Sequence, residues 1–355
     1  MLYEFNYFGG AGNMENNSSQ SISVGVIGTG GMGTRHAVNL HRFVGGAHVA
    51  GVYDLDQAHA SQAAEQCGSA QVFSDPLQLI NDPGVDAVLI ASPDDTHTNL
   101  TLECLKVNKP VLCEKPLATR VEDAIKVLEV ETSLSKRLIS VGFMRRFDPQ
   151  HAAVKSRVSS GELGEPLMWK GVHRNASVSY GISGATILTN SAGHDFDSAR
   201  FLMDAEVLEV HVRGLKSRSE LHDDTRDLLL IEMMMSKNRL ASAEVYVNAE
   251  YGYEVSAEVI CQQGTVVTQQ PDKALMRSKS MRGFHVSSDW LSPFQDAYVA
   301  EAIDWIDSLQ TGRLFGGASA WDGYAAMMIT AACIESLHTN QYVAVQLGQK
   351  PDLYG

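Results

Sequence analysis

The chain is 355 residues long, which is enough for two domains. Its composition, 44% hydrophobic and 20% charged, is typical of a globular protein whose core needs no disulfide bond or structural metal. The formal net charge of −14 argues against nucleic acid and an anionic membrane surface as partners, because both require a basic face. No apolar run reaches the roughly 20 residues of a membrane span.

The first segment, residues 1–21, is rich in Asn, Gly and Ser and has neither a basic start nor an apolar stretch. We therefore expect a disordered extension and not a secretion signal. The five cysteines are scattered and include no Cys-x-x-Cys pair, a pattern typical of reduced thiols in a cytoplasmic protein without a metal site. They are Cys67, Cys104, Cys113, Cys261 and Cys333.

From residue 22 onward, short apolar runs alternate with amphipathic segments. Near-continuous apolar strands that alternate with helices are typical of a parallel sheet covered on both faces. Residues 22–147 are therefore predicted to form an α/β domain. The pattern predicts strands at 22–28, 48–53, 85–91, 110–113 and 137–141, and helices at 33–43, 57–67, 96–106 and 121–134.

The alternation of strand and helix stops at about residue 148. Strands that follow one another with few helices between them indicate a largely antiparallel sheet with helices on one side. Residues 148–355 are therefore predicted to form a second, α+β domain. Its predicted strands are 167–173, 207–215, 228–234, 240–247 and 253–261, and its predicted helices are 192–202, 293–309 and 320–337.

A glycine motif, GTGGMG at 28–33, joins the first predicted strand to the first predicted helix. This G-x-G-x-x-G pattern lets a pyrophosphate approach the backbone at a helix N-terminus, and the domain is read as a Rossmann domain. Asp54 ends the second predicted strand, about 20 residues after the last glycine, where an acid binds the ribose of NAD. Its charge would repel the 2′-phosphate of NADP. The predicted cofactor contacts here are Gly28, Gly30, Gly31, Met32, Gly33 and Asp54.

Lys115 follows Glu114 at the end of the predicted strand 110–113. Ligands of open α/β sheets bind at the carboxyl ends of the strands, so this lysine is a candidate acid or base. Burial or a cationic neighbour would lower its pKa toward the working range. On the residues alone, a solvated surface charge is the commoner alternative.

Six segments carry a resemblance to the glucose–fructose oxidoreductase and inositol dehydrogenase (Gfo/Idh/MocA) family. The resemblance extends over residues 23–354 and is strongest to the inositol dehydrogenase branch. The segments are GVIGTGGMG at 25–33, VLCEKPLA at 111–118, GFMRRFDP at 142–149, EVYVNAEYGYEV at 244–255, SAWDGYAA at 319–326 and KPDLYG at 350–355.

The resemblance implies NAD-dependent oxidation of a ring secondary alcohol of an inositol, or of a related small polyol or sugar, to a ketone. It also implies that the open sheet of the second domain forms the contacts of a homotetramer. Lys115 would be the catalytic lysine and His194 the acid/base beside it. Further implied cofactor contacts are Ser92, His97, Glu114 and Lys115, and implied substrate contacts are Met144, Arg145, His173, Asn175, Asn190, His194 and Tyr253.

One position departs from the family pattern. The family usually has an aspartate four residues before the catalytic histidine, and this chain has Asn190. An amide forms hydrogen bonds but carries no charge, so His194 lacks an anionic partner that would raise its pKa. The relay of Lys115, Asn190 and His194 is therefore expected to be weaker, to run through Lys115 and His194 alone, or to serve a different substrate.

Three alternatives to an inositol dehydrogenase remain open at this stage. Asn190 is compatible with a pyranose dehydrogenase or ketosugar reductase. Some relatives of the family use bound NAD to cleave glycosides without net turnover of the cofactor. A dinucleotide-bound sensor without catalysis is the third, although the chain keeps both Lys115 and His194.

Overall fold

The computed structural model describes residues 21–179, 181–268, 275–278 and 280–355. Except for Ser21, the predicted disordered extension lies outside this part of the chain. The described residues form two seven-stranded sheets and a short two-stranded hairpin. Helices pack on one face of the second sheet and on both faces of the first, which gives one hydrophobic core on the second sheet and two on opposite faces of the first, and the helix Ala320–Thr339 contributes to a core of each sheet.

The first sheet is parallel except for one edge strand. Its parallel strands are β1 (Ile22–Ile27), β2 (Ala47–Tyr53), β3 (Gln71–Val72), β4 (Ala87–Ile90), β5 (Val111–Glu114) and β6 (Ile139–Gly142). The seventh, β15 (Ala318–Ser319), comes from far along the chain and pairs antiparallel with β6. The strand order is β15-β6-β5-β4-β1-β2-β3, so the order reverses beside β1, where ligands bind in open α/β sheets.

Helices cover both faces of this sheet. Strand β4 is buried along its whole length, and alternate residues of it enter opposite cores. Asp56 and Asp75 begin two of the helices by accepting hydrogen bonds from backbone N–H groups two residues later. The helices are α1 (Gly31–Phe43), α2 (Gln57–Gln66), α3 (Pro76–Asn81), α4 (His97–Lys106) and α5 (Val121–Ser133).

The second sheet is antiparallel except for the pair β7 and β10. Its strands are β7 (Pro166–Arg174), β8 (Val207–Leu215), β9 (Leu228–Met235), β10 (Arg239–Tyr246), β11 (Glu254–Cys261), β12 (Gly264–Val267) and β16 (Val343–Ala344). The order is β12-β11-β7-β10-β9-β8-β16. The separate hairpin consists of β13 (Met276–Ser278) and β14 (Met281–Gly283).

One face of the second sheet is covered by α6 (Pro149–Ser159), α7 (Gly184–Asn190), α8 (Gly193–Met203) and α10 (Ala320–Thr339). Strand β9 shows the resulting alternation, because Ile231 and Met233 are buried while Leu230 and Met234 are exposed. Helix α9 (Gln295–Thr311) returns to the first sheet, where Trp305 and Ile306 enter the core beside α1.

A buried ion network connects the turn after β6 with α8 and α10. Arg146 contacts Asp197 at 2.6 Å and Asp322 at 2.9 Å, and Arg200 contacts Asp322 at 2.9 Å. Burial alone would raise the pKa of Asp322, but the two arginines hold it well below its ordinary value. Asp322 also completes a capping box with Ser319 at the start of α10, so its role is structural.

The predicted fold class, a Rossmann domain followed by an α+β domain, is confirmed. Three features were not predicted: the helices α3, α6 and α7, the short strands β3 and β12–β16, and the parallel pairing of β7 with β10. The domain boundary at 147/148 stays a prediction, and β15 shows that residues 318–319 complete the first sheet.

Candidate active site

The glycine motif forms the tight turn between β1 and α1. Gly28 has φ +86°, and a Cβ there would lie 2.4 Å from the backbone nitrogen of Ser92. A Cβ at Gly33 would lie 1.7 Å from the carbonyl oxygen of Gly28, so only glycine fits. A Cβ at Gly30 or Gly31 would meet nothing within 4 Å, and no side chain caps α1. The N–H groups that open α1 are therefore accessible to a phosphate, as a dinucleotide requires.

Asp54 lies directly beside this turn. Its Oδ2 accepts hydrogen bonds from the backbone N–H of Thr29 at 2.6 Å and from the Thr29 hydroxyl at 3.2 Å. Its Oδ1 accepts one from the backbone N–H of Asp56 at 2.9 Å. The carboxylate is thus fixed at the end of β2 and half-exposed. This placement fits the predicted contact with the ribose hydroxyls of NAD.

Ser92 and His97 follow the carboxyl end of β4. The Ser92 hydroxyl bonds to the Thr96 hydroxyl at 2.6 Å, and the Ser92 backbone packs against Gly28. His97 is buried, with Nδ1 at 2.7 Å from the carbonyl oxygen of Pro116 and Nε2 at 2.9 Å from that of Ser92. Both ring nitrogens of His97 therefore contact backbone carbonyl oxygens and are not free to bond to a cofactor. His97 affects cofactor binding only by holding the turns at Ser92 and Pro116 in place.

Glu114 and Lys115 end β5 at the same sheet edge. Glu114 Oε1 lies 2.7 Å from Nε2 of the buried His36, and Oε2 accepts the backbone N–H of Lys115 at 3.1 Å. Burial alone would raise the pKa of Glu114, but the bond to His36 and the charge of Lys115 lower it. The anionic Glu114 thus fixes the backbone from which Lys115 projects. The His36 contact was not predicted, although His36 lies on α1 just after the glycine motif.

Lys115 reaches across the cleft to the second sheet's helices. Its Nζ donates to the backbone carbonyl oxygen of Asn190 at 3.4 Å, at the end of α7. The Asn190 side chain bonds instead to the Thr186 carbonyl oxygen, 2.9 Å away within its own helix. Lys115 therefore contacts the backbone of Asn190, while the side-chain nitrogen of Asn190 bonds within its own helix.

His194 lies in the first turn of α8 and is half-buried, with its ring edge-on to Phe143 at 5.8 Å between centroids. Its Nδ1 has no hydrogen-bond partner among the described residues. Burial lowers the pKa of His194 well below its ordinary value, and the charges of Lys115 and Arg145 add to the effect. His194 is therefore a neutral imidazole at neutral pH, able to accept a proton.

Arg145, His173 and Asp195 form a buried cluster next to this pair. Arg145 donates to Asp195 Oδ1 at 2.7 Å, and His173 Nδ1 lies 2.8 Å from Asp195 Oδ2 and 3.2 Å from Arg145. Burial alone would raise the pKa of Asp195, but Arg145 and His173 lower it to about 2. Asp195 was not predicted, and its place directly after His194 was the available signal.

The remaining predicted substrate contacts surround this cluster. Tyr253 meets His173 edge-on at 5.9 Å, and burial raises the pKa of Tyr253 to about 12, which keeps the phenol protonated. Met144 and Tyr253 belong to one apolar cluster, against which Met32 of the glycine motif packs. Asn175 is buried at the end of β7, and its Oδ1 has no partner among the described residues. Met32 of the glycine turn thus packs beside two of the predicted substrate contacts.

Two features are absent from the described part of the chain. No group of three or more His, Cys, Asp or Glu side chains could hold a metal ion there. No helix there is both long and apolar enough to cross a membrane.

The glycine turn, the acid at the end of β2 and the Lys115–His194 pair define an oxidoreductase that binds NAD at a Rossmann edge. The chain belongs to the Gfo/Idh/MocA oxidoreductase family. Residues 22–143 match the model of its NAD-binding Rossmann fold, and residues 155–345 match the model of its C-terminal alpha/beta domain.

Relatives are similar over nearly the whole chain. The inositol 2-dehydrogenase of Rubrobacter xylanophilus is 45% identical over 95% of this chain and 96% of its own length. The structure of myo-inositol dehydrogenase from Lactobacillus casei, in complex with NAD(H) and myo-inositol, superposes with a TM-score of 0.90 at 32% identity, covering 95% of this chain and 100% of that one. The scyllo-inositol dehydrogenase of the same organism, at 22% identity and a TM-score of 0.85 over 92% of this chain and 100% of that one, shares the fold.

Proposed function

We propose that this protein oxidises a ring secondary alcohol of an inositol to the keto-inositol, with NAD as the hydride acceptor. The observation that carries the proposal is the pairing of a lysine with a neutral histidine across the cleft. Lys115 projects from the sheet edge that binds the cofactor, and His194 projects from the helix layer of the second sheet. A substrate between them would contact both.

The two side chains divide the chemistry. His194, neutral because its pKa is lowered, accepts the hydroxyl proton, and the Lys115 ammonium stabilises the negative charge that develops on the oxygen. Bound NAD supplies the hydride acceptor. Asp195 holds Arg145 and His173 in place, and Tyr253 and Asn175 offer neutral hydrogen-bonding groups to the other hydroxyls of a polyol.

A substrate panel tests this proposal directly. The purified protein is mixed with NAD and myo-, scyllo- or chiro-inositol, glucose, xylose or galactose, and NADH formation is followed. Turnover limited to inositols is the expected result. Preference for a pyranose would replace the proposal with a sugar dehydrogenase or ketosugar reductase, the alternative that Asn190 leaves open. Release of an aglycone from a glycoside without net NADH, or tight NAD binding without turnover, would indicate the two remaining alternatives.

The preference for NAD is proposed to depend on Asp54. The Asp54→Ala variant is expected to bind NAD about 10-fold more weakly and to lose most of its preference over NADP, because the repulsion of a 2′-phosphate is removed. Calorimetric titration with both cofactors measures this. The Glu65→Ala variant changes an exposed carboxylate of α2 and serves as the matched control. An unchanged ratio of affinities in Asp54→Ala would show that Asp54 does not bind the ribose.

We also propose a cytoplasmic homotetramer in which residues 22–147 bind the cofactor and residues 148–355 bind substrate and partner subunits. The uncovered face of the second sheet supports the assembly, because Leu230, Met234 and Leu240 are exposed there on neighbouring strands. The five free, buried cysteines fit a reducing compartment. Light scattering is expected to give four times the chain mass of 38.6 kDa. A monomer would contradict the assembly.

A further inference from the structure

The histidine at the start of α4 has an unusual pair of contacts. His97 is 1% exposed, and its two ring nitrogens lie 2.7 and 2.9 Å from the backbone carbonyl oxygens of Pro116 and Ser92. A carbonyl oxygen only accepts hydrogen bonds. A neutral imidazole has one N–H group, so its other nitrogen would place a lone pair against a carbonyl oxygen at hydrogen-bond distance.

We propose that His97 is held as an imidazolium cation that clamps the Ser92 turn to the Lys115–Pro116 turn, and that this clamp positions the catalytic lysine. Both ring N–H groups then donate, and both bonds are charge-assisted. The two turns follow β4 and β5, which are neighbours in the sheet with Ile90 opposite Cys113. The clamp therefore closes the sheet edge where the cofactor and Lys115 meet.

The surroundings of the ring agree with a cation. The Cys113 thiol of β5 lies against it, and its Sγ donates to the Glu114 carbonyl oxygen at 3.3 Å. Burial raises the pKa of the Cys104 thiol, deeper in α4, to about 12, so it carries no charge. Burial alone would lower the pKa of His97, but the contacts of the ring raise it, among them the two carbonyl oxygens, which can both accept a hydrogen bond only from the protonated ring. The position of the ring at the N-terminus of α4 opposes the charge, and the carbonyl contacts must outweigh it.

The clamp also reaches the glycine turn. The Ser92 backbone packs so closely on Gly28 that a Cβ there would be 2.4 Å from the Ser92 nitrogen. The chain of contacts therefore runs from Gly28 through Ser92 and His97 to Pro116, next to Lys115. Its role in catalysis depends on the proposed function of Lys115, whereas the charge on His97 does not.

The charge is tested on the unaltered protein by neutron diffraction from crystals of perdeuterated protein at about pD 7.5. Deuterium on both ring nitrogens of His97 is expected. His194 serves as the internal comparison, because its lowered pKa predicts a neutral ring with deuterium on only one nitrogen. Deuterium on only one nitrogen of His97 would overturn the proposal, and this result requires neither a variant nor a known substrate.

The positioning role is tested with His97→Gln, which keeps one donor group and removes the charge. We expect kcat to fall roughly 10- to 100-fold with KM for the substrate within about twofold, because the lysine is misplaced and not removed.

The matched control is His211→Gln, a buried histidine of β8 in the second sheet, and it should keep the wild-type kcat. A His97→Gln enzyme with wild-type kcat, or one in which kcat and KM change together, would overturn the positioning role. If the variant does not fold, the neutron result alone decides the charge. If no substrate is turned over by the wild type, the proposed function fails while the neutron measurement still tests the clamp.

Discussion

The cleft contains two groups of polar side chains that differ in how completely they are bonded. Arg145 donates to Asp195 Oδ1 at 2.7 Å and His173 Nδ1 lies 2.8 Å from Asp195 Oδ2, so both Asp195 oxygens are bonded, although Arg145 Nε has no partner among the described residues. Lys115 makes one contact of 3.4 Å with a backbone carbonyl oxygen, and His194 Nδ1 has no partner among the described residues. Because buried polar groups are stable only when they are bonded, the first group is a fixed support. The second group is completed by whatever binds between the two side chains.

The largest expected effect concerns the sparsely bonded pair. Lys115→Met removes the cation that stabilises the developing alkoxide, so kcat is expected to fall about 10³-fold or more while the affinity for NAD stays within about twofold. Stopped-flow NADH formation and calorimetric titration measure the two quantities. Lys126→Met alters an exposed lysine of α5 and should behave as wild type. Near-normal turnover by Lys115→Met would refute the proposed site.

A substitution in the cluster of Arg145, Asp195 and His173 is expected to change the stability of the fold. Asp195→Ala leaves Arg145 as a buried charge without its partner and is expected to lower the free energy of unfolding by about 3–5 kcal/mol in urea titrations. The Asp195 pKa of about 2 lies below the ordinary aspartate value of about 3.9. Its stabilisation is therefore complete above about pH 4 and is lost as the pH falls through 2. If the difference in unfolding free energy between wild type and Asp195→Ala did not shrink below pH 4, the ion pair of Arg145 and Asp195 would not be its source.

Glu301 of α9 is a buried polar group that is not bonded within the described ranges, in contrast to Asp195. Neither of its two carboxyl oxygens has a partner among those residues. Burial and the charges of Glu114 and Asp197 raise its pKa well above the ordinary value. Folding then takes up a proton, so stability from this group declines as the pH rises above about 4.5. Relative to wild type, Glu301→Gln is expected to gain about 2 kcal/mol of unfolding free energy between pH 4.5 and 7. A pH-independent difference would mean that Glu301 is ionised in the folded protein.

The smallest effect is expected at Asn190. Asn190→Asp places a carboxylate at the end of α7, four residues before His194, which is expected to raise the His194 pKa and move the acidic limb of kcat/KM to higher pH, with a change of about two- to fivefold in kcat. A rise in kcat would mean that the asparagine weakens the relay, and a changed substrate preference would mean that it selects the substrate. Asn81→Asp, an exposed change at the end of α3, is the control and should leave the profile unchanged.

The first sheet was predictable because its signals are local. Apolar runs such as the one that contains β4, and the glycines at 28–33, determine strand, turn and helix within a few consecutive residues. The helix α7 was missed because it has seven residues and several β-branched side chains, and it depends on a capping box between Ser183 and Thr186. The parallel pairing of β7 and β10 depends on the packing of the whole sheet, which no local pattern reports.

The site was predictable only in part for the same reason. The positions of Lys115 and His194 came from family motifs, and the structure shows how far apart in sequence their supports lie. His36 bonds to Glu114 over 78 residues, and Arg145 bonds to Asp195 over 50. Such contacts form only when the two sheets are folded and packed, so spacing in the sequence does not reveal them. The engagement of both His97 nitrogens by carbonyl oxygens is likewise visible only in three dimensions.

The edge strand β15 has a consequence for the order in which the chain folds during synthesis. The first sheet has its six parallel strands once residue 142 has been made, but its outer edge stays open until residues 318–319 arrive. Likewise, the flank of α1 stays uncovered until Trp305 and Ile306 of α9 have been made and have packed against it. An unpaired edge and an uncovered apolar flank invite association with other chains. While nearly all of the second sheet is translated, the nascent cofactor domain therefore keeps an exposed surface that can associate with other chains. A fragment that ends at residue 147 would keep this surface permanently.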